Sequence, residues 1–365
     1  MESSLKDKQL YEKIAGILHA ARQNIIRTVN QTMVYTYYEI GRMIVENEQK
    51  GKERAEYGKQ VLNELSLRLT LEFGKGFSKR NLEQMRQLYL TYSIAQKSSA
   101  QLQSEDNQPD AITVQEHFDQ PILKADAKHI PLFTLSWSHY LKLMRIENPE
   151  ERRFYEIECA AKNWSLKTLQ RQFDSALYER LALSRDKDGV KQLAEKGQVL
   201  EKPADLLKDP YILEFLDLPD YARYSESDLE IAIIDALEHF LLELGKGFTF
   251  VGRQVRFTFD EKHFKVDLVF FNRLLRCFVL IDLKIGELAH QDLGQMQMYV
   301  NYYDRHVRLS DENKTIGIIL CKDKNEALVE ITLPEDNNSI FASRYKTILP
   351  AKQEFIKLLK EFELP

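Results

Sequence analysis

The sequence predicts two parts of different class, an all-α N-terminal half and a C-terminal α/β domain whose mixed sheet is flanked by helices. Between Leu10 and Tyr92 apolar residues recur at helical spacing, whereas 264–284 holds two short runs that alternate with the period of two a strand requires. A helical stretch and then the β-branched run 315–321 follow, and a helix crossover would lay that run parallel to the strand before it.

In the N-terminal half, Leu10, Ile14, Ile17, Leu18 and Ala21 share a helix face, as do Tyr37, Ile40 and Ile44, and then Val61, Leu62, Leu65 and Leu69. Several antiparallel helices follow from this pattern. Gly74-Lys75-Gly76 is placed to stop one of them, and Ser78 to cap the next through Arg80, Met85, Leu88 and Tyr89, an order that resembles a helix-turn-helix. Lys75, Lys79, Arg80 and Arg86 would then offer charge to phosphates, although an ordinary solvated face explains the same residues. The tetrapeptide Gly-Lys-Gly-Phe recurs at 245–248, where it reads as a second stop signal rather than a duplicated domain.

Residues 93–129 are rich in Ser, Gln, Asp and Lys and have little periodicity, so a loose loop is expected there. Helical pattern resumes with Trp137, Tyr140, Leu141 and Met144, then from Pro149, and again from Ser165 through Leu166, Leu169, Phe173, Leu177 and Leu181. A stretch containing Pro203, Pro210 and Pro219 reads as a connector. The expected division is a helical domain at 1–185, a connector at 186–220 and the α/β domain at 221–365.

The α/β domain opens with Ser225 or Ser227 capping a helix through Leu229, Ile233, Leu237, Phe240 and Leu241. Glu230 lies near its start and Glu238 two turns on. In the first strand Phe264, Val266, Leu268 and Phe270 alternate with Lys265, Asp267, Val269 and Phe271; the second runs from Cys277 to Lys284. A turn near Asn272-Arg273 would bring Asp267 beside Asp282 and Lys284, which share a face. A helix at 290–304 carries Gln295 and Tyr299 one turn apart. Further strands are expected at 315–321, 328–333 and 340–345, and a closing helix at 351–362.

Charges inside such apolar runs are costly to bury unless paired or bound to a metal. Mg²⁺ takes one or two protein carboxylates and leaves its other positions to water and phosphate, so Asp267 and Asp282 suit it, and Mn²⁺ in its place. A lysine nearby would orient the attacking water or offset charge on the phosphate. From spacing alone, a solvated ion pair between Asp267 and Lys284 fits equally well.

A hairpin bearing Asp, then Asp-x-Lys, then a helix, resembles the PD-(D/E)xK nuclease superfamily. Phe250-Val251-Gly252-Arg253-Gln254, the run from Val279 to Gly286, and Gly294-Gln295-Met296-Gln297-Met298-Tyr299 resemble more closely the bacterial YhcG-like family, which joins a helical N-terminal domain to such a nuclease domain of restriction-endonuclease-like fold. The resemblance covers most of the chain. It implies that Asp267 and Asp282 are metal ligands and Lys284 the catalytic lysine, with Glu230 as the acid of the preceding helix. Gln295 and Tyr299 are similar to the Gln-x-x-x-Tyr motif of RecB-like nucleases and are expected at the active site, Tyr299 toward the nucleic acid. Val266 stands where the family has proline, and Asp282 where Glu is commoner; neither change removes a needed chemical group. The activity implied is Mg²⁺-dependent endonucleolytic hydrolysis of DNA, RNA being the lesser expectation and a homodimer one arrangement for cutting both strands. A protein that keeps the fold only for nucleic-acid binding or complex assembly is the alternative.

Composition agrees with a soluble globular protein. With 44% hydrophobic residues and no apolar run of bilayer length, no membrane partner is expected. The start lacks the apolar core of a signal peptide, and Cys159, Cys277 and Cys321 are far apart, as core residues in a reducing cytoplasm would be. Net charge of −5 excludes coating of DNA by bulk basicity, so contact must come from local patches.

Overall fold

The computed structural model describes residues 2–50, 55–102, 132–185, 187–218, 224–349 and 351–363. The chain divides into two compact units, one of residues 1–152 with 159–166, the other of 153–158 with 167–365.

The first unit contains α1 (Glu2–Lys50), α2 (Ala55–Phe73), α3 (Lys79–Leu102), α4 (Trp137–Leu143) and part of α5 (Pro149–Lys162). Helices α1 and α3 meet at Gly41, where any Cβ would run into the backbone carbonyl of Met85. Ile44, Leu62, Leu82 and Met85 form the buried cluster around this crossing. Gly74 adopts φ 90° at the end of α2, and the Ser78 hydroxyl accepts from Asn81 N at 3.4 Å, so stop and cap act as the sequence indicates. Of the segment expected to be a loose loop, 93–102 is helical as the last turns of α3, and 103–129 lies outside the described residues.

The second unit continues with α6 (Leu166–Asp174), α7 (Leu177–Leu183), α8 (Lys187–Lys196), β1 (Tyr211–Ile212), α9 (Glu226–Asp235) and α10 (Leu237–Leu244). Then come β2 (Phe248–Phe259), β3 (Lys262–Asn272), β4 (Cys277–Leu283), α11 (His290–His306), β5 (Ile316–Cys321), α12 (Glu326–Thr332), β6 (Ile340–Lys346) and α13 (Lys352–Glu363). The six strands lie in the order β1-β6-β5-β4-β3-β2. β4, β5, β6 and β1 are parallel, whereas β2, β3 and β4 form an antiparallel meander, which makes the sheet mixed. Leu229, Ile233 and Phe240 of α9 and α10 cover one face, and Leu293, Met296, Tyr299 and Val300 of α11 cover the other. Gly317 lets α11 sit close to β5, since a Cβ there would stand 2.5 Å from Met296 Sδ.

Glu243 Oε1 receives Arg180 Nη1 at 2.5 Å and Ile212 N at 3.0 Å, pinning α7 and β1 to α10 with both charged groups fully buried. Three expectations about single elements are corrected. The helix expected from Ser225 through Leu241 is broken at Ala236 into α9 and α10. The segment 328–333, expected as a strand, lies largely in α12; Asn325 caps it by accepting from Leu328 N, and that cap outweighs the β propensity of Val329, Ile331 and Thr332. Finally, β3 does not alternate throughout. Phe264 and Val266 pack against α11 while Leu268 and Phe270 face α9 and α10, so the strand changes phase at Asp267.

Cys159, Cys277 and Cys321 are buried thiols. Among the described residues no helix is long and apolar enough to cross a membrane.

Candidate active site

The phase change of β3 has a partner in β2. There the register slips between Phe250 and Gly252, and Gln254 adopts φ 49°, rare for a residue with a side chain. The pairs Arg253 with Leu268 and Val255 with Val266 put Gln254 opposite Asp267. On the other flank of β3, Leu268 pairs with Ile281, and one step further Asp267 faces Asp282. Gln254, Asp267 and Asp282 therefore form a row across three strands at the place where the sheet bends.

Asp267 is half-buried, and its Oδ2 accepts from Leu283 N at 2.9 Å, which ties the carboxylate to the neighbouring strand. Asp282 is 3% exposed. Burial pushes its carboxyl well above the usual carboxylate range; the Asp267 charge adds to the rise and Lys284 opposes it. Lys284 Nζ stands 2.9 Å from Asp282 Oδ2 in an ion pair. Asp292 and Glu226 lie 3.9 and 4.0 Å from the same ammonium. Burial alone would lower the Lys284 pKa, but Asp282, Glu226 and Asp292 outweigh it and raise it, so the group stays charged.

Glu230, buried on α9, accepts a hydrogen bond at Oε2 from Gln254 Nε2 and so joins the row through Gln254. Glu238, one helix later, is exposed. On α11 the Gln295 amide bonds the Tyr299 hydroxyl, which donates to the Lys265 carbonyl at 2.9 Å. Tyr299 is 1% exposed. Burial raises its phenol pKa, and the carboxylates of Asp282 and Asp267 add to the rise. In the first unit Lys75 and Arg80 are exposed and Lys79 is half-buried, whereas Arg86 is held by Glu48 at 2.7 Å and has less freedom to reach a phosphate.

Sequence reasoning missed Gln254, Glu226 and Asp292. Gln254 bore a signal, the irregular Val-Gly-Arg-Gln inside a β run. Glu226 and Asp292 resemble ordinary first-turn helix acids, and Asp292 does act as one, accepting from Ala289 N at 2.8 Å.

Among the described residues no three acidic, His or Cys side chains converge into a ready-made metal cage. The two facing carboxylates instead suit a hard cation that takes most of its ligands from water and phosphate.

Residues 204–360 match the model of the YhcG PDDEXK nuclease domain, and residues 13–180 match the DUF1016 N-terminal domain. A protein of Escherichia coli (strain K12) named "Putative nuclease YhcG" is 41% identical over 350 residues, covering 94% of this chain and 91% of that protein. The chain belongs to the YhcG family. Its mixed sheet with flanking helices is accordingly a PDDEXK nuclease fold behind a helical N-terminal region. Solved structures with local likeness include a repair endonuclease from Pyrococcus abyssi (16% identity, TM-score 0.24, 36% of this chain) and the EndoMS-dsDNA2 complex (15%, 0.25, 37%). This chain spans half the length of each of those chains, and at such scores the YhcG family assignment rests on the sequence matches.

Proposed function

We propose that this YhcG-family chain is a Mg²⁺-dependent endonuclease that hydrolyses DNA phosphodiester bonds, with Mn²⁺ able to replace Mg²⁺. The reading rests on one juxtaposition: Asp267 facing Asp282 across β3 and β4, with Lys284 Nζ 2.9 Å from the latter. Asp267 and Asp282 would hold the ion. When bound, such an ion polarises the phosphate and lowers the pKa of a coordinated water.

The chain's own groups supply the rest. Lys284 has no lone pair to offer a metal; its ammonium donates to the attacking water or to the phosphate oxygens, and the acids around it keep it protonated for that task. Gln254 holds Glu230 toward the carboxylate row. Gln295 and Tyr299 fix α11 to the Lys265 carbonyl, two residues from Asp267. Lys75, Lys79 and Arg80, with Arg86 behind them, present the first unit to the phosphate backbone.

The test is incubation of the purified protein with plasmid, linear, branched and single-stranded DNA and with RNA, in Mg²⁺, Mn²⁺ or EDTA. Metal-dependent cutting of DNA is expected. Binding without cutting in every metal would leave a nuclease fold used only for recognition.

A further inference from the structure

Beyond the carboxylate row, the outer side of α11 and the end of β2 enclose a pocket of about 310 Å³. Its wall is aromatic and its rim polar. Phe257 is buried and stacks on Tyr302 at 4.0 Å between ring centroids, and Tyr302 leans on His306 at 5.0 Å. Phe259, which is 54% exposed, closes the other side, its ring centroid 6.5 Å from that of His306 and tilted 43°. Arg305 and the Asn301 amide line the opening.

This combination suits one class of ligand. Phe259 and His306, 6.5 Å apart and tilted 43°, touch each other as an ordinary aromatic pair, and the exposed face of Phe259 is a platform on which a base can stack. Asn301 offers a donor and an acceptor to a base edge, and Arg305 a charge to the adjoining phosphate. At the small end of ligand-pocket volumes, the space admits one nucleotide and not a duplex. The pocket and the centre share α11 and β2: Phe257 packs edge-on against Tyr299 at 5.6 Å, and Phe259 pairs with Lys262, five residues along β3 from Asp267, about 17 Å at ~3.3 Å per residue.

We infer that this pocket, with Phe259 as its exposed platform, is a subsite for an unpaired nucleobase of the substrate strand, stacked a few nucleotides away from the phosphodiester that lies at the carboxylates. The inference rests on the proposed function only in taking a nucleic acid as substrate. It assigns the protein a preference for strands with an unpaired base, such as tails, flaps or bulges, over a blunt duplex.

The test is equilibrium binding in EDTA, by fluorescence polarisation, of blunt duplex DNA and of the same duplex with a short single-stranded DNA or RNA tail, using wild type, Phe259→Ala and His306→Ala. A 2-aminopurine in the tail reports stacking by loss of fluorescence. Wild type is expected to bind tailed substrate more tightly and to quench the probe. Each variant should lose roughly five- to hundred-fold on tailed substrate, the effect of one stacked base, while blunt binding and melting temperature stay within about twofold and a few degrees. A larger loss on the DNA tail than on the RNA tail identifies DNA as the source of the base, and the reverse identifies RNA. Equal affinity of wild type for blunt and tailed substrates, absence of quenching, or variants that bind tails like wild type would each overturn the inference. Because the assay needs no cleavage, a protein that discriminates tails but never cuts would refute the nuclease reading and leave this subsite standing.

Discussion

Gln254 on β2 donates a hydrogen bond to the buried carboxylate of Glu230 on α9, and the Gln254 backbone holds a left-handed φ of 49°. A backbone kept in a sparsely populated conformation beside a carboxylate row points to positioning of the acid. Gln254→Ala should leave Glu230 buried without its donor and cost about 1–3 kcal/mol of stability. In a double-mutant cycle of melting free energies, Gln254→Ala and Glu230→Ala should therefore couple by more than about 0.5 kcal/mol. Additive effects would mean that the two side chains do not act together.

The close approach of α11 to β5 yields a second expectation. Gly317→Ala would push against Met296 Sδ and Val300, and overpacking of this kind costs about 1–3 kcal/mol. Because α11 carries Gln295 and Tyr299, cleavage should fall along with the melting temperature. Full activity in a destabilised variant would detach α11 from the chemistry.

The Arg180–Glu243 pair governs acid stability. Burial would raise the Glu243 pKa, but Arg180, Lys208 and Arg171 outweigh it and hold it at about 2, below the 4.5 of a free glutamate. Between these values the unfolded chain takes up a proton that the folded chain refuses. The contribution is therefore fully present above about pH 4.5 and is lost as pH falls toward 2. Urea titrations across that window should show a steeper loss for wild type than for Glu243→Gln. Parallel curves would contradict the pairing.

How much of this was legible in the sequence varies with the physics that decided each element. The β3–β4 hairpin and its Asp-x-Lys were readable because the turn is short and the apolar alternation of β4 is regular. The phase change at Asp267 was hidden, since β3 is apolar on both faces there and the irregularity depends on a left-handed Gln254 that no propensity signals. The two-residue β1 has no pattern of its own; Glu243, 31 residues away, fixes it. Arg86 looked free because its partner Glu48 is 38 positions distant and meets it only once α1 and α3 have packed. The environment of Lys284 was half visible: Asp282 is its neighbour in a motif, but Glu226 and Asp292 arrive from two helix starts.

If the first unit holds DNA, replacing Lys75, Lys79 and Arg80 together by Ala should weaken binding and flatten its logarithmic dependence on salt by up to about 2.7, from three phosphate contacts at about 0.9 each. Adding Arg86→Ala should change the slope little, because Glu48 already holds that guanidinium. An unchanged slope in the triple variant would move the binding surface elsewhere.

Asp282→Asn keeps the shape of the carboxylate and removes its charge. It should weaken Mg²⁺ binding in calorimetric titration and abolish cutting, and relief of repulsion from Asp267 should leave the metal-free protein at least as stable as wild type. Unaltered metal affinity would remove Asp282 from the site.

The most direct measurement is the Mg²⁺-dependent cleavage rate of Lys284→Ala at saturating metal and DNA, with a thermal melt of the same sample. If the lysine acts on water or phosphate, the rate should fall by about 10²-fold or more while the protein stays folded and still binds the ion. A wild-type rate together with a lowered melting temperature would show that Lys284 is a structural ion-pair partner of Asp282, and the catalytic assignment would fall.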